Sequence, residues 1–301
     1  MNIINKHILG KLIHKNRGNA KLLKAVIQLV GDIENSSWKT PHELTENRPD
    51  ADCVYGGEFY FFNINIHRTL VLIEFEENGE ATIVWAGSHD DYELVFKNSR
   101  SVIKKWLRNN NWIKKIGVMK DLMNIKEVEN INRLENEFDL QKASLLERNL
   151  HLMIDESPDL KPIRKKLREL IREYEAIEWA DFENISDSKI EESDTAEIII
   201  NYEQKFINKR KESIRKKLKG FDMTQQDLGV LLGHPKSYMS ELVNGVSQFT
   251  MKDLVIIHRI LGISLKILIP TYLQSDTRER VRESIRKLNK PKLGLRKAEL
   301  V

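Results

Sequence analysis

TQQDLGVLLGHPKSYMSELVNG, residues 224–245, is the stretch from which the organisation of the chain is read. Thr224 is a favoured N-cap, and Leu228, Leu231 and Leu232 follow it at helical spacing. Gly233 then supplies a tight turn that a residue with a Cβ resists. Pro235, a favoured first-turn residue, opens a second helix that stops at Gly245. The spacing turns Met239 and Leu242 inward and Lys236, Ser237, Tyr238 and Glu241 outward. Two short helices joined at a glycine, the second with a polar outer face, make a helix-turn-helix. A plain helical hairpin is the alternative, and it leaves the complete spacing unexplained.

Around this stretch the chain turns basic. Residues 205–301 carry 21 Lys and Arg against 9 Asp and Glu, a local charge of +12. The whole chain carries +4, so residues 1–204 carry −8. A local basic excess is what neutralising nucleic-acid phosphates requires, although solvated helices are also often basic. KESIRKKLKG (211–220) predicts a helix before the motif, and TMKDLVIIHRILG (250–262) and SLKILIP (264–270) predict two after it. His258 falls on an apolar helix face, a core or rim position. Residues 271–301 form a basic helix and tail, opened by a capping box of Asp276 and Glu279, which either wraps DNA or stays free.

Five short helices with the helix-turn-helix as second and third resemble the lambda-repressor-like (Xre-type) DNA-binding domain, and among these the HigA antitoxins. The resemblance covers about residues 211–270 and rests on Thr224, Gln225, Gly233, Ser240 and Gly245; Gly229 stands where that family prefers Ala. It implies that the third helix enters the major groove. Lys236, Ser237, Tyr238 and Ser240 would then reach bases or phosphates, with Gln225 bracing them or touching the backbone. It also implies palindromic operator DNA as partner and a homodimer.

A chain of 301 residues exceeds the usual size of one core, so two or three domains are expected. No run of about 18 apolar residues is present, so no membrane span and no membrane partner is expected. The N-terminus has neither the apolar core nor the cleavage site of a secretory signal. Cys53 is the one cysteine, which excludes an internal disulfide and a cysteine zinc site, and a reducing cytoplasm fits best.

Residues 1–108 predict an α+β domain. Apolar residues recur at helical spacing over 3–14 and 18–34, and Trp38 anchors a loop over 38–52. EFYFFNINI (58–66), RTLVLIEFE (68–76) and EATIVWAG (80–87) are rich in β-branched and aromatic residues, and Asn78-Gly79 marks a hairpin between the last two. Residues 88–109 open on a capping residue and predict a closing helix. Two helices, an antiparallel meander and a C-terminal helix result.

W38-K-T-P, F62-N-I, R68 followed by L-V-L-I-E-F, and A-G-S-H89-D-D-Y92-E resemble the HigB branch of the RelE-like ribosome-dependent toxins, over about residues 1–105. The resemblance implies cleavage of messenger RNA on the ribosome. Two departures stand out. Asn65-Ile66-His67 replaces the family's Gly-Asn turn, and Ser88-His89 and Tyr92-Glu93 replace its Thr-His and Tyr-Asp.

RNA cleaved without a metal or cofactor uses its own 2′-hydroxyl as nucleophile. The protein must move that proton, protonate the leaving 5′-oxygen and stabilise the phosphorane's charge. His89 can serve as acid or base, Arg68 offers a fork to phosphate, and Tyr92 can stack on a base or donate a proton. His89 and Tyr92, three apart at a helix start, share a face. The pair also fits a cap-and-surface arrangement. His67 reads as a surface strand residue, and Asp90, Asp91 and Glu93 as favouring the helix dipole. Residues 1–108 hold 14 basic and 14 acidic side chains, a balance unlike that expected of a ribosome-binding nuclease.

NNNWIKKIGVMK (109–120) interrupts the helical period and marks a junction. Residues 119–180 predict an all-α segment of three helices, 128–139, 142–158 and 160–179. The last carries Ile163, Leu167, Leu170, Ile171 and Tyr174 as a stripe, either plain core or a face that grips the first domain. This segment resembles the N-terminal helices of HigA-type antitoxins. Residues 181–204 open with an acidic run and read as a linker before the helix-turn-helix domain at 205–270.

The expected protein is a fused toxin-antitoxin chain. A messenger endoribonuclease is held silent in cis by a half that binds operator DNA and autorepresses. The tether supplies an effective concentration of about millimolar for that contact. Two alternatives remain: a repressor whose first domain is an inactive interaction module, and an RNA- or ribosome-binding regulator that does not cleave.

Overall fold

The computed structural model describes residues 1–75, 79–113, 128, 130–152, 154, 158–244, 248–270, 275–290 and 292–294. The chain divides into two compact units, Met1–Val118 with Ile131–Glu191, and Met119–Asn130 with Glu192–Val301.

The first unit is built on a five-stranded sheet in the order β1-β5-β4-β3-β2. Its strands are β1 (Asn2–Ile4), β2 (Asp52–Tyr55), β3 (Phe59–Ile64), β4 (His67–Glu74) and β5 (Glu80–Ser88). β2 to β5 form an antiparallel meander, and β1 adds in parallel beside β5. The meander is therefore as the sequence predicts, with β1 and β2 as additions. β1 takes the first residues of the run read as helix over 3–14, and the helix α1 (His7–Lys15) begins only after Asn5, whose φ is +64°. Asn78 of the expected hairpin lies outside the described residues.

Both faces of the sheet are covered, which the near-continuous apolar run of β4 requires. Val71 and Ile73 join Leu9, Leu12, Val26 and Leu29 of α1 and α2 (Ala20–Glu34) in one core. Leu70 and Leu72 point the other way, into a second core with Phe61, Tyr92, Phe96 and Ile103. The short α3 (Pro41–Asn47), capped by Thr40, seats Leu44 on the first core. The closing helix breaks into α4 (His89–Phe96) and α5 (Arg100–Asn109). Lys97 and Asn98, at φ +51° and +45°, make the break.

Two more helices complete this unit, α6 (Glu137–His151) and α7 (Lys161–Glu178). The sequence predicts separate helices over 128–139 and 142–158, but one helix bridges their boundary. Asn136 starts it by accepting from the Asp139 amide, with Glu137 and Asp139 in the first turn. The acidic run, read as a linker over 181–204, is instead helical from Asp187, within α8 (Asp187–Gly220). Ser193, Ala196, Ile199 and Ile200 recur every three or four residues and are buried, so its charges occupy the other sides of an amphipathic helix.

The second unit is all-α. After α8 come α9 (Gln225–Leu232), α10 (Lys236–Asn244), α11 (Met251–Leu261), α12 (Leu265–Leu268) and α13 (Ser275–Leu288). Ile214, Leu218, Leu228, Met239, Leu242, Ile257 and Leu261 share one core. The helix expected at 211–220 is the end of the longer α8. Among the described residues no helix is long and apolar enough to cross a membrane.

Candidate functional site

β4 and β5 bring together the three residues singled out for catalysis. Arg68 pairs across the sheet with Gly87, two residues before His89 opens α4. The Arg68 guanidinium lies 4.3 Å from the centre of the Tyr92 ring, and the His89 ring stacks on Tyr92 with centroids 6.1 Å apart. His89 is exposed, with Nε2 3.8 Å from Glu93 Oε1. Tyr92 is 1% exposed, and its hydroxyl donates to Asn98 Oδ1 at 3.0 Å. Burial pushes its phenol up, outweighing the pull of Arg68. A ring so enclosed, with its hydroxyl committed, neither stacks on a base nor gives up a proton easily. It serves as the platform on which Arg68 and His89 rest.

Ser88 and Asp91 cap the helix that carries His89. Ser88 Oγ accepts from the Asp91 amide, and the Asp91 carboxylate accepts from the Ser88 amide. These Ser88 hydrogen bonds hold the Asp91 carboxyl below its usual range, with smaller help from Lys15 and His67. Asp91 thus has the helix-start role expected of it.

His67 does not sit on the surface as its strand position suggests. It pairs with both Ile64 and Ser88 inside the sheet and is 3% exposed. Burial lowers its pKa, and Nδ1 finds no hydrogen-bond partner among the described residues. Because neighbours on a strand alternate, His67 and Arg68 point to opposite faces.

At the other end of the same strands, α6 and α7 are bound to the sheet by buried charges. Arg164 donates to Glu74 at 2.8 and 2.6 Å and to Glu147 at 2.9 Å. Arg168 donates to Glu147 at 2.8 Å, Glu80 at 2.7 Å and the Ala81 carbonyl at 3.2 Å. Burial alone would raise the Glu147 carboxyl, but Arg168 and then Arg164 hold it down. Glu74 pairs with Glu80, and Arg68 with Gly87. Six residues of strand separate the two ends, roughly 20 Å at 3.3 Å per residue. Leu167, Leu170, Ile171 and Tyr174 are all buried on α7, so the stripe read as core or grip faces the protein.

A second contact seals the helices to α1. Glu175 accepts from the His7 amide at 2.9 Å and lies 2.7 Å from its ring. Trp179 lies against Gly10, where an added Cβ would meet the indole at 2.7 Å. Tyr174, Trp179 and Lys189 all reach one oxygen of the buried Glu137, at 3.0, 2.9 and 2.8 Å. The sequence singled out none of these charged residues. The signal that could have found them is the position of Arg164 and Arg168, one turn apart beside the apolar stripe.

In the second unit Thr224 and Asp227 form a capping box at the start of α9, and Gly233 ends it in the left-handed conformation at φ +77°. Lys236 is exposed and Gln225 half-buried, at the heads of α10 and α9. Tyr238 is half-buried, with the His234 ring edge-on at 5.1 Å. Ser237 and Ser240 fall on α10, and their side chains lie outside the described residues. His234 Nε2 lies 3.1 Å from Asp253, tying the turn to α11. Burial would raise the Asp253 carboxyl, but Thr250 and then His234 hold it below its usual range. His258 takes the rim position, its ring donating to the Ile263 carbonyl at 2.7 Å. Gly229 is explained by contact: an added Cβ would stand 2.8 Å from Met239 and 2.9 Å from the His234 carbonyl.

Comparison with known families gives two matches. Residues 23–95 match the HigB toxin family, described as the RelE-like toxic component of a toxin-antitoxin system. Residues 214–268 match a helix-turn-helix family. No curated protein and no solved structure matches the chain. The first matched segment runs from within α2 through β2–β5 into α4, so it holds Arg68 and His89 but not β1, and the second runs from the end of α8 to α12. The chain therefore carries on one polypeptide a segment similar to the RelE-like HigB toxins and a segment similar to Xre-type helix-turn-helix domains.

Proposed function

We propose that this chain is a self-inhibited toxin-antitoxin protein. Its toxin domain, over residues 1–108, cleaves messenger RNA on the ribosome. The helical segment within 119–180 holds that domain silent. The helix-turn-helix domain at 205–270 binds a palindromic operator as a homodimer, with the basic residues 271–301 beside it, and represses its own operon. A cytoplasmic site of action belongs to this reading. The observation that carries it is the convergence of Arg68, Tyr92 and His89 at one end of a sheet whose other end is clamped by α6 and α7.

In the proposed reaction the 2′-oxygen bonds to phosphorus and the bond to the 5′-oxygen breaks, leaving a 2′,3′-cyclic phosphate and a 5′-hydroxyl. His89, with Glu93 beside it, transfers the proton of the attacking or the leaving oxygen. Arg68, held against Tyr92, offsets the charge that accumulates on the phosphorane. Tyr92 and Asn98 position both groups. In the DNA-bound state Lys236, Ser237, Tyr238 and Ser240 face the major groove and Gln225 braces the backbone.

Inducing residues 1–113 alone in cells tests the toxin reading. Growth arrest and new messenger 5′ ends are expected, both lost with His89→Ala and both absent with the intact chain. A folded, soluble fragment that leaves messages whole overturns it. The equal acidic and basic content of residues 1–108 favours a second reading, a repressor with a catalytically silent first domain. That reading requires intact operator binding together with a harmless fragment.

A further inference from the structure

At the C-terminal end of α1, three nitrogen donors converge on two oxygens from a distant part of the same unit. Arg17 Nη1 donates to Asp187 Oδ1 at 2.7 Å, and His14 Nε2 lies 2.8 Å from the same oxygen. Arg17 Nη2 donates to the Ile185 carbonyl at 2.7 Å. A guanidinium fork with an imidazole beside it, set on two oxygens, is the donor arrangement that binds two non-bridging oxygens of a phosphodiester.

The surroundings fit that ligand. Between His14 and Arg17, Lys15 extends an exposed ammonium to 3.9 Å from Asp91, in the first turn of the helix that His89 opens. Lys15 therefore connects this end of α1 to the start of the helix that carries the candidate catalytic group. Asp187 is 81% exposed and buries nothing, so its contribution to the core is small. Its carboxyl is held below the usual range by His14 first and then Arg17, so it stays a formal anion through the neutral range.

We propose that His14 and Arg17 form a phosphate subsite for single-stranded RNA beside the cleavage centre, and that Asp187 with the Ile185 carbonyl occupies it in cis. The first residue of α8 and the residues just before it are then a substrate mimic, separate from the buried charges that fix α6 and α7. The identity of the ligand rests on the RNA-cleaving reading of the first domain; the occupied donor set does not.

The test uses the full chain and a fluorescein-labelled 2′-O-methyl oligoribonucleotide, which cannot be cleaved through its 2′-oxygen. Excess duplex DNA keeps the helix-turn-helix occupied. Asp187→Asn should tighten binding about fivefold, the most that an exposed ion pair ordinarily withholds. The slope against log salt should steepen by about 0.7, one phosphate's worth for a single strand. Adding Arg17→Ala and His14→Ala should remove both gains. Unchanged affinity with Asp187→Asn, or a gain that survives loss of Arg17 and His14, overturns the subsite; thermal melts establish that each variant is folded. Should the fragment 1–113 cleave messages while Asp187→Asn changes nothing, the mimic fails and the nuclease stands. Tighter binding without cleavage by any variant supports the subsite and defeats the nuclease.

Discussion

Arg168 donates to Glu147 at 2.8 Å with both side chains removed from water, joining α7 to α6 above the edge of the sheet. Glu147 also receives Arg164, so its carboxylate offsets two buried guanidiniums. Removing one partner of such a group leaves charge uncompensated and costs about 3–5 kcal/mol. Glu147→Ala should lower the stability of the first unit by about that amount in urea unfolding, whereas Lys165→Ala on the exposed side of α7 should change it little.

Arg68→Ala and His89→Ala should each reduce messenger cleavage by the freed toxin domain by about 10²–10⁴-fold. Tyr92→Phe is the discriminating variant. It keeps the ring beneath Arg68 and loses the hydroxyl's bond to Asn98 and its polar contact with Arg68, so a loss of cleavage well short of a hundredfold is expected. A hundredfold loss would mean that the hydroxyl itself moves a proton.

His67 makes the first unit acid-sensitive. Burial lowers its folded pKa below the unfolded value of about 6.5, so in that window the unfolded chain binds a proton that the folded chain refuses. Stability should be complete above the unfolded pKa and fall as the pH drops from there towards the folded pKa. His67→Phe should flatten that part of the profile in thermal melts taken from pH 7.5 to 5.

Gly229→Ala, although it restores the residue usual in such motifs, should destabilise the helix-turn-helix by about 1–3 kcal/mol, the ordinary cost of overpacking. Its methyl would meet a backbone carbonyl that cannot move aside alone. Denaturation followed through the second unit checks this, and an unchanged midpoint would show that the turn shifts freely.

Lys236→Ala should weaken binding to operator and random duplex alike and reduce the salt slope by about one unit, as loss of one phosphate contact does. Fluorescence anisotropy at several salt concentrations measures both.

Most of the fold is legible in local patterns. Alternating and β-branched runs announce β3, β4 and β5, and the capping residues Ser88, Thr224 and Thr250 mark three helix starts where the chain has them. β1 is not legible, because three residues that pair in parallel with a strand 78 positions away carry no periodicity of their own. The candidate trio Arg68, Tyr92 and His89 is legible as residue types, but the enclosure of Tyr92 depends on Phe61 and Phe96, which only the folded sheet brings to it. Glu147, Arg164 and Arg168 read as solvated charges on amphipathic helices, and their burial is a property of the assembled unit. The acidic run misleads in the opposite sense: its composition suggests an unfolded tether, while Ser193 and Ala196 are small enough to be buried at helical spacing without an apolar signature.

The opposed placement of the Glu74–Glu80 and Arg68–Gly87 pairs along one hairpin has a consequence for mutational analysis. Sites that far apart, sharing no side chain, are expected to contribute additively. Selection can therefore weaken or strengthen the hold of α6 and α7 without retuning the chemistry at His89. In folding stability a damaged cutter and a loosened clamp should each carry the same cost in the other's background, whereas toxicity should follow a loosened clamp only where the cutter is intact.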